Sequence, residues 1–178
     1  MKQARFKDDL FIIPKAAFGG SLLKNSNAKT KRPLDSKLPI HLVLTASKSV
    51  LRLPKTFAKV NDEVTRVCKR HGVTVYKYAN VGNHLHFVIK IPGRRRWSAF
   101  IRELTGRLSQ VTQGITGRQK GAEKFWKKLP FTRLVQGWKH AYTAAVNYVY
   151  LNELEAAGFI SRKQVKTLSD LREILDFS

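Results

Sequence analysis

The alternation of apolar and polar residues predicts an α+β domain whose first strand lies near residue 40. The segment IHLVLTAS at 40–47 is dense in β-branched and apolar residues, which is typical of a central strand. The segments 73–81 and 83–91 have the same character and meet at Gly82, so they predict a β-hairpin. A further strand, preceded by a loop with two large aromatic residues, is expected within 125–137.

Three other segments are predicted to be helices, and in the first two the apolar residues recur at every third or fourth position, the period of a helix with one buried face. The first is 55–72, where Gly72 is expected to cap the C-terminus. The second is 97–111, and the third is 138–157, which Gly158 ends. The order strand, helix, strand, strand, helix, strand, helix predicts an α+β fold of the ferredoxin-like type, an antiparallel sheet with helices packed on one face.

The two ends of the chain differ from this central domain, which we assign to residues 38–160. Residues 1–37 are rich in Lys, Gly, Ser, Asn and Pro and predict a basic arm, which either contacts DNA or is a solvated tail. Residues 161–178 form a C-terminal tail with a last helical pattern. The lysine-rich start lacks the apolar core of a signal peptide, and no apolar run is long enough to span a membrane.

The net charge narrows the choice of partner. The chain has 34 Lys and Arg against 12 Asp and Glu, a formal charge of +22, which favours a nucleic acid. Charge alone leaves two classes open, an enzyme and a structural RNA-binding or ribosome-associated protein. The single cysteine excludes an internal disulfide and a Cys-rich zinc site, so we expect a cytoplasmic, nucleoid-associated protein with no membrane partner. The expected DNA contacts are Lys31, Arg32, Arg94, Arg95, Arg96 and Arg102.

His84 and His86 are the first candidate site residues. They lie two residues apart in a predicted strand, so both imidazoles should point to the same side of the sheet. Two neutral imidazoles on one rigid surface can bind a metal ion, and a hydrogen-bonded histidine pair is the alternative. His41, His71 and His140 stand singly and are expected to be structural or to contact phosphate.

Tyr148 and Asn152 are the second candidate pair, four residues apart and therefore neighbours on the last helix. Alanines on the same face would leave room for a sugar-phosphate backbone near the Tyr148 hydroxyl. The alternative is a structural tyrosine whose hydroxyl is hydrogen-bonded at the edge of the sheet. Tyr142 and Tyr150 have apolar residues at the same spacing. Glu155 shares the face of Tyr148 and is either a solvated charge, the interpretation we favour, or an alternative to Asn152 as a ligand.

Together these elements resemble the single-tyrosine HUH transposases. The string VGNHLHFVIKI at 81–91 is similar to the His-hydrophobic-His strand of that family. NYVYLNELEAAGF at 147–159 is similar to its nucleophile helix, in which an amide side chain follows the tyrosine by four residues. The similarity covers residues 38–160 and is closest to the REP-associated branch. Glu153 stands where many members of that branch have proline, a departure that concerns the end of the helix.

The resemblance implies a ferredoxin-like or RRM-like core followed by a C-terminal nucleophile helix, and an enzyme that cuts single-stranded DNA beside hairpins. It makes His84 and His86 metal ligands, Asn152 the third ligand, and Tyr148 the nucleophile that leaves a 5′-phosphotyrosine and a free 3′-hydroxyl. The implied cofactor is Mg²⁺ or Mn²⁺. The implied partner is single-stranded or hairpin DNA, bound by a monomer or a homodimer.

The competing interpretation is a non-catalytic hairpin-binding protein with an RRM-like fold. Such a protein would carry stacking aromatic residues on a central strand, where this chain has His84 and His86. That difference favours catalysis. We expect Trp97, Trp126 and Phe131 to belong to the core rather than to stack on unpaired bases.

Overall fold

The structure is a computed structural model, and it describes residues 17–20, 31–114, 124–136, 140–161, 165 and 169–170. Five strands, three α-helices and a short 3₁₀ turn are present in these ranges. In chain order they are β1 (Ala17–Phe18), β2 (Ile40–Thr45), α1 (Pro54–His71), β3 (Thr74–Asn80), β4 (His84–Lys90), the 3₁₀ turn (Arg94–Arg96), α2 (Trp97–Gln113), β5 (Phe131–Leu134) and α3 (His140–Ala157).

The strands form one sheet in the order β1-β5-β2-β4-β3, and all neighbours are antiparallel. Helix α1 connects β2 to β3, and α2 connects β4 to β5, so each connection passes over a strand that lies between. The order β5-β2-β4-β3 is that of a ferredoxin-like sheet, in which β2 and β4, the first and third strands of the four, lie at the centre. This confirms the predicted fold class.

One face of the sheet forms the main core together with α1 and α2. Alternate residues of the central strands point toward these helices and are at most 1% exposed. The helices supply the opposite wall with apolar residues at helical spacing, as predicted. The buried side chains of this core include Ile40, Leu42, Leu44, Leu85, Phe87, Ile89, Val60, Val64, Phe100 and Leu104.

Helix α3 packs on the opposite face of the sheet, mainly against β3 and β4. Val88 and Ala79 contribute the sheet side of this second cluster, and Ala145 and Val149 contribute the helix side. Lys77 of β3 adds an ion pair with Glu153 at 2.6 Å. The sheet therefore lies between α1 and α2 on one face and α3 on the other.

The helix ends follow the predicted signals. Gly72 adopts a left-handed conformation with φ of 65°, and its amide and that of Val73 bond to carbonyls in the last turn of α1. Gly114 ends α2 in the same way.

The β3–β4 connection is held by Asn80, whose side-chain nitrogen donates to the carbonyl of Leu51 at 2.8 Å while its oxygen accepts from the amide of Gly82 at 3.0 Å. Gly82 has φ of 90°, and a Cβ there would lie 2.8 Å from Oγ of Ser49. A residue with a side chain would be both strained and crowded. These contacts set the position at which β4 begins, immediately before the histidine pair.

Part of the expected basic arm lies on the domain. Ala17 and Phe18 pair with β5 as an edge strand, which the sequence did not predict. Arg32 donates to the carbonyl of Pro130 at 2.8 Å and to Oγ1 of Thr132 at 2.7 Å, and its guanidinium lies over the Phe18 ring. Burial lowers the pKa of Arg32 to about 10. At least this section of the arm is therefore structural.

The C-terminal tail is described only at 161, 165 and 169–170. Val165 is buried, and residues 169–170 are helical. The rest of the predicted helical pattern in 161–178 lies outside the described residues. Within the part of the chain that the structure describes, no helix combines the length and apolar character that a membrane span requires.

Candidate active site

His84 and His86 lie on the face of the sheet that α3 covers. Their ring centroids are 5.9 Å apart and the ring planes are inclined by 20°. The alternation of β4 therefore places both imidazoles on one side, as the two-residue spacing predicts. His86 is almost fully buried and His84 is partly exposed, so the pair runs from the interior toward the end of the strand.

His41 of β2 joins this pair. Its ring stacks on that of His86 with centroids 5.9 Å apart, and the edge of Phe131 contacts it from β5. The β2–β4 register places Val43 opposite His86 and Val88 opposite His41, so the two histidines are diagonal neighbours. The sequence predicts His41 to stand singly. The alternation of β2 places it on the face away from Ile40, but only the strand pairing brings it beside His86.

Tyr148 lies over both of these rings. Its ring makes edge contacts with His86 and with His41, each at a centroid distance of 5.7 Å. These contacts are within one chain, so the sheet and α3 bring the tyrosine to the histidines without a second copy. The side chain is half-buried.

The other two tyrosines of α3 contact β3 instead. Tyr142 packs edge-on against Tyr76 at 5.5 Å, and the Nζ atom of Lys77 lies 4.6 Å from the ring centre of Tyr150. Neither contact is with the histidine cluster. The arrangement thus distinguishes Tyr148 from its rivals, as the spacing to Asn152 suggested.

Asn152 lies one helical turn after Tyr148 and is 9% exposed. Its side-chain nitrogen donates to the main-chain carbonyl of Tyr148 at 2.6 Å. This bond fixes the amide against the helix and leaves the oxygen of the amide as the atom with ligand chemistry.

The three histidines are kept neutral by their surroundings. Burial lowers the pKa of His41 to about 3, and the positive charge of Arg133 acts in the same direction. Burial lowers the pKa of His86 well below its usual value, and the neighbouring His41 and His84 contribute. The pKa of His84 is also lowered, by burial and then by Lys128 and Lys127. Neutral imidazoles hold the lone pairs that a metal ion requires.

The hydrogen bonds of these rings fit metal binding. Nδ1 of His84 lies 2.7 Å from the side-chain oxygen of Asn83. An amide oxygen can only accept, so the proton belongs to Nδ1 and Nε2 holds the lone pair. Nδ1 of His86 and Nε2 of His41 are buried, and among the described residues neither atom has a hydrogen-bond partner. An unsatisfied buried nitrogen is costly, which is consistent with a site that ligands complete.

Among the described residues, no group of three or more His, Cys, Asp or Glu side chains could hold a metal ion. A metal site here would therefore combine the two histidines with a donor of another type. The amide of Asn152 and a phosphate oxygen of a bound substrate are such donors.

Residues 35–149 match the family model of the IS200-like transposases. This range contains His84, His86 and Tyr148 and ends before Asn152. The chain belongs to the IS200-like transposase family. A search of curated protein sequences found no match.

A solved structure of a REP-associated tyrosine transposase bound to a REP hairpin is similar to this transposase in fold. The TM-score is 0.59 and the sequence identity is 14%, over 75% of this chain and 76% of the other. At that identity the likeness establishes the fold.

Four of the predicted DNA-binding arginines lie in or next to α2, on the side of the sheet opposite α3. Arg94, Arg95 and Arg96 form the exposed 3₁₀ turn that leads into α2, and Arg102 is exposed one turn further on. Helix α2 packs on the face opposite α3, so these residues do not surround Tyr148 directly. Their contact with DNA stays a prediction, as does that of the exposed Lys31.

Lys127 and Lys128 are two further cations near this site, and no sequence motif marks them. Both are exposed, and both lower the pKa of His84, so their charges lie close to the outer end of the histidine pair. Their position follows from a non-local bond, in which the amide of Lys127 donates to the carbonyl of Thr45 at 2.9 Å. Thr45 is the partner of His84 in the β2–β4 ladder.

Proposed function

We propose that this transposase cuts single-stranded DNA by attack of the Tyr148 hydroxyl on a phosphodiester. The observation that carries the proposal is the position of Tyr148, edge-on to His86 at 5.7 Å within one chain. A tyrosine, a histidine pair and an amide on one face of the sheet combine a nucleophile with a set of metal ligands.

His84, His86 and Asn152 are the residues that would hold a divalent cation, Mg²⁺ or Mn²⁺. The set has no formal charge, and its two nitrogen donors favour Mn²⁺ over Mg²⁺ intrinsically. When bound, the cation supplies positive charge to a phosphate oxygen and so offsets the charge that develops in the reaction.

The reaction balances with one bond formed and one broken. The Tyr148 oxygen forms a bond to phosphorus as the bond from phosphorus to the 3′-oxygen breaks. The tyrosine loses its proton and the departing 3′-oxygen gains one, which yields a 5′-phosphotyrosine and a free 3′-hydroxyl. Contacts with His41 and His86 hold the tyrosine ring in place, so little freedom is lost when the phosphate arrives.

The proposed substrate is DNA with a hairpin and a single-stranded flank. The formal charge of +22 supports a polyanionic partner, and the structural relative is bound to a REP hairpin. The single-stranded form is required because a nucleophile on a half-buried ring needs an accessible phosphodiester.

Replacement of one oxygen atom tests the proposal. We expect Tyr148→Phe to lose all covalent attachment to a labelled hairpin oligonucleotide in the presence of Mn²⁺, because phenylalanine keeps the ring contacts but has no nucleophile. The adduct is measured on a denaturing gel, and hairpin affinity and the unfolding midpoint are measured on the same samples.

Tyr142→Phe and Tyr150→Phe are the matched controls, since both residues lie on the same helix and contact β3. Both should form the adduct at the wild-type level. An adduct with Tyr148→Phe, or its loss in either control, contradicts the assignment of the nucleophile. Tight hairpin binding by the wild-type protein without any adduct would favour the non-catalytic hairpin-binding alternative.

A further inference from the structure

An open pocket lies at the same end of β2 as His84, on the face of the sheet that packs against α2 and therefore opposite Tyr148. Its volume is about 570 Å³, within the range of roughly 300–1,000 Å³ that small-molecule sites occupy. Its lining comes mainly from β2, α2 and the segment 124–130, and it includes Leu44, Ile101, Thr105, Trp126, Leu129 and Pro130.

The segment 124–130 forms both the pocket wall and the border of the active site. The backbone of Trp126 forms an isolated antiparallel β-bridge with that of Ala46, and its indole nitrogen donates to the carbonyl of Thr105 at 3.0 Å. The next residue, Lys127, bonds to Thr45, which pairs with His84. Two strand spacings, about 10 Å, therefore separate the backbone of this segment from that of His84. A single strand that contacts both faces would pass around this end of the sheet, beside Lys127 and Lys128.

The chemistry of the pocket combines a flat aromatic side chain with positive charge. Trp126 is half-buried and Leu129 is 58% exposed, so an apolar surface is open to a ligand. Lys124, Lys127 and Lys128 are exposed around it. An apolar interior with a cationic rim matches one nucleotide, whose base is apolar on its faces and whose phosphate is anionic.

We propose that this pocket takes one unpaired base of the single-stranded DNA that flanks the cleavage site, while Lys127 and Lys128 bind the adjoining phosphates. The proposal rests on the proposed function, because it assigns a second contact to the same DNA strand. It assigns to Trp126 a role in DNA binding in addition to its packing against α2.

Abasic scanning tests the pocket without cleavage. All measurements use the Tyr148→Phe background and hairpin oligonucleotides in which one flanking position at a time lacks its base. We expect one position at which loss of the base weakens binding between about fivefold and a hundredfold, since base–aromatic stacking is worth about 1–3 kcal/mol. In Trp126→Ala the same abasic substitution should have little further effect.

Phe125→Ala is the matched control, because Phe125 packs edge-on against Trp126 at 4.8 Å without lining the pocket. It should keep the full effect of the abasic position. If Trp126→Ala does not fold, Leu129→Ala replaces it, since that exposed side chain lines the same pocket. Lys128→Gln should weaken binding to all the oligonucleotides equally and reduce the logarithmic salt slope by about 0.7.

Photocrosslinking supplies a second readout, with 5-iodouracil placed at the position that the scan identifies. A crosslink to residues 124–130 supports the proposal. A scan in which no position couples to Trp126 or Leu129 overturns it, and so does a crosslink elsewhere. These outcomes are independent of whether the wild-type protein forms the phosphotyrosine adduct, so failure of the pocket and failure of the proposed nuclease function are distinguishable.

Discussion

Burial of His41 should make the stability of this transposase depend on pH. The residue lies between His86, Tyr148 and Phe131, and its pKa is about 3 in the folded state against 6.5 for an exposed histidine. The unfolded chain therefore binds a proton near neutral pH and the folded chain does not. The contribution of neutral His41 to the unfolding free energy is fully present above pH 6.5 and is lost as the pH falls toward 3.

The magnitude follows from the difference between the two pKa values. At pH 5, which is about 1.5 units below the pKa of 6.5 in the unfolded state, protonation of His41 stabilises the unfolded state by about 2 kcal/mol. At pH 7.5 the effect is negligible. His86 acts with the same sign, because burial lowers its pKa as well. His41→Phe keeps an aromatic ring in the stack but removes the titrating group, so it should remove about 2 kcal/mol of this pH dependence.

The assay is urea unfolding of wild-type protein and His41→Phe at pH 7.5 and pH 5.0, at one ionic strength. The quantity compared is the change in unfolding free energy between the two pH values, so a uniform loss of stability in the variant does not affect the result. Equal pH dependence in both proteins would refute the reasoning, because it would mean that His41 titrates alike in the folded and unfolded states.

Three further predictions concern the metal site, the DNA contacts and the arm. Asn152→Ala should weaken Mn²⁺ binding at least about tenfold, measured by calorimetry, and Asn152→Asp should restore it because a carboxylate oxygen replaces the amide oxygen. Replacement of Arg94, Arg95 and Arg96 by glutamine should reduce the logarithmic salt slope of single-stranded DNA binding by about 2, in a fluorescence anisotropy titration. Arg32→Gln should lower the unfolding free energy by about 1–3 kcal/mol, since the charged hydrogen bonds to Pro130 and Thr132 are lost, and a variant as stable as wild type would argue against its structural role.

The sequence alone determined the elements that depend on local patterns. Alternation in β4 placed His84 and His86 on one face, and helical spacing placed Tyr148 beside Asn152. Gly72 ends α1 because the residue after the helix adopts the left-handed conformation, which glycine adopts without steric cost. The α+β fold followed from the order of these elements.

The edge strand and the role of Arg32 required the tertiary structure. Ala17 and Phe18 form only two residues of strand, too few for any period, and they are placed by pairing with β5. Arg32 looks like any solvated cation in a basic segment. Its contacts with Pro130 and Thr132 come from residues about 100 positions away, which no local pattern records.

Some residues of the active site could be found in the sequence, and others only in the tertiary structure. The histidine pair and the tyrosine were visible as motifs, whereas His41 and the lysines beside His84 were not. His41 reaches His86 only through the β2–β4 register, and Lys127 reaches the site only through its bond to Thr45. Strand register is set by the packing of whole faces against helices, so it is a property of the assembled sheet and not of any one segment.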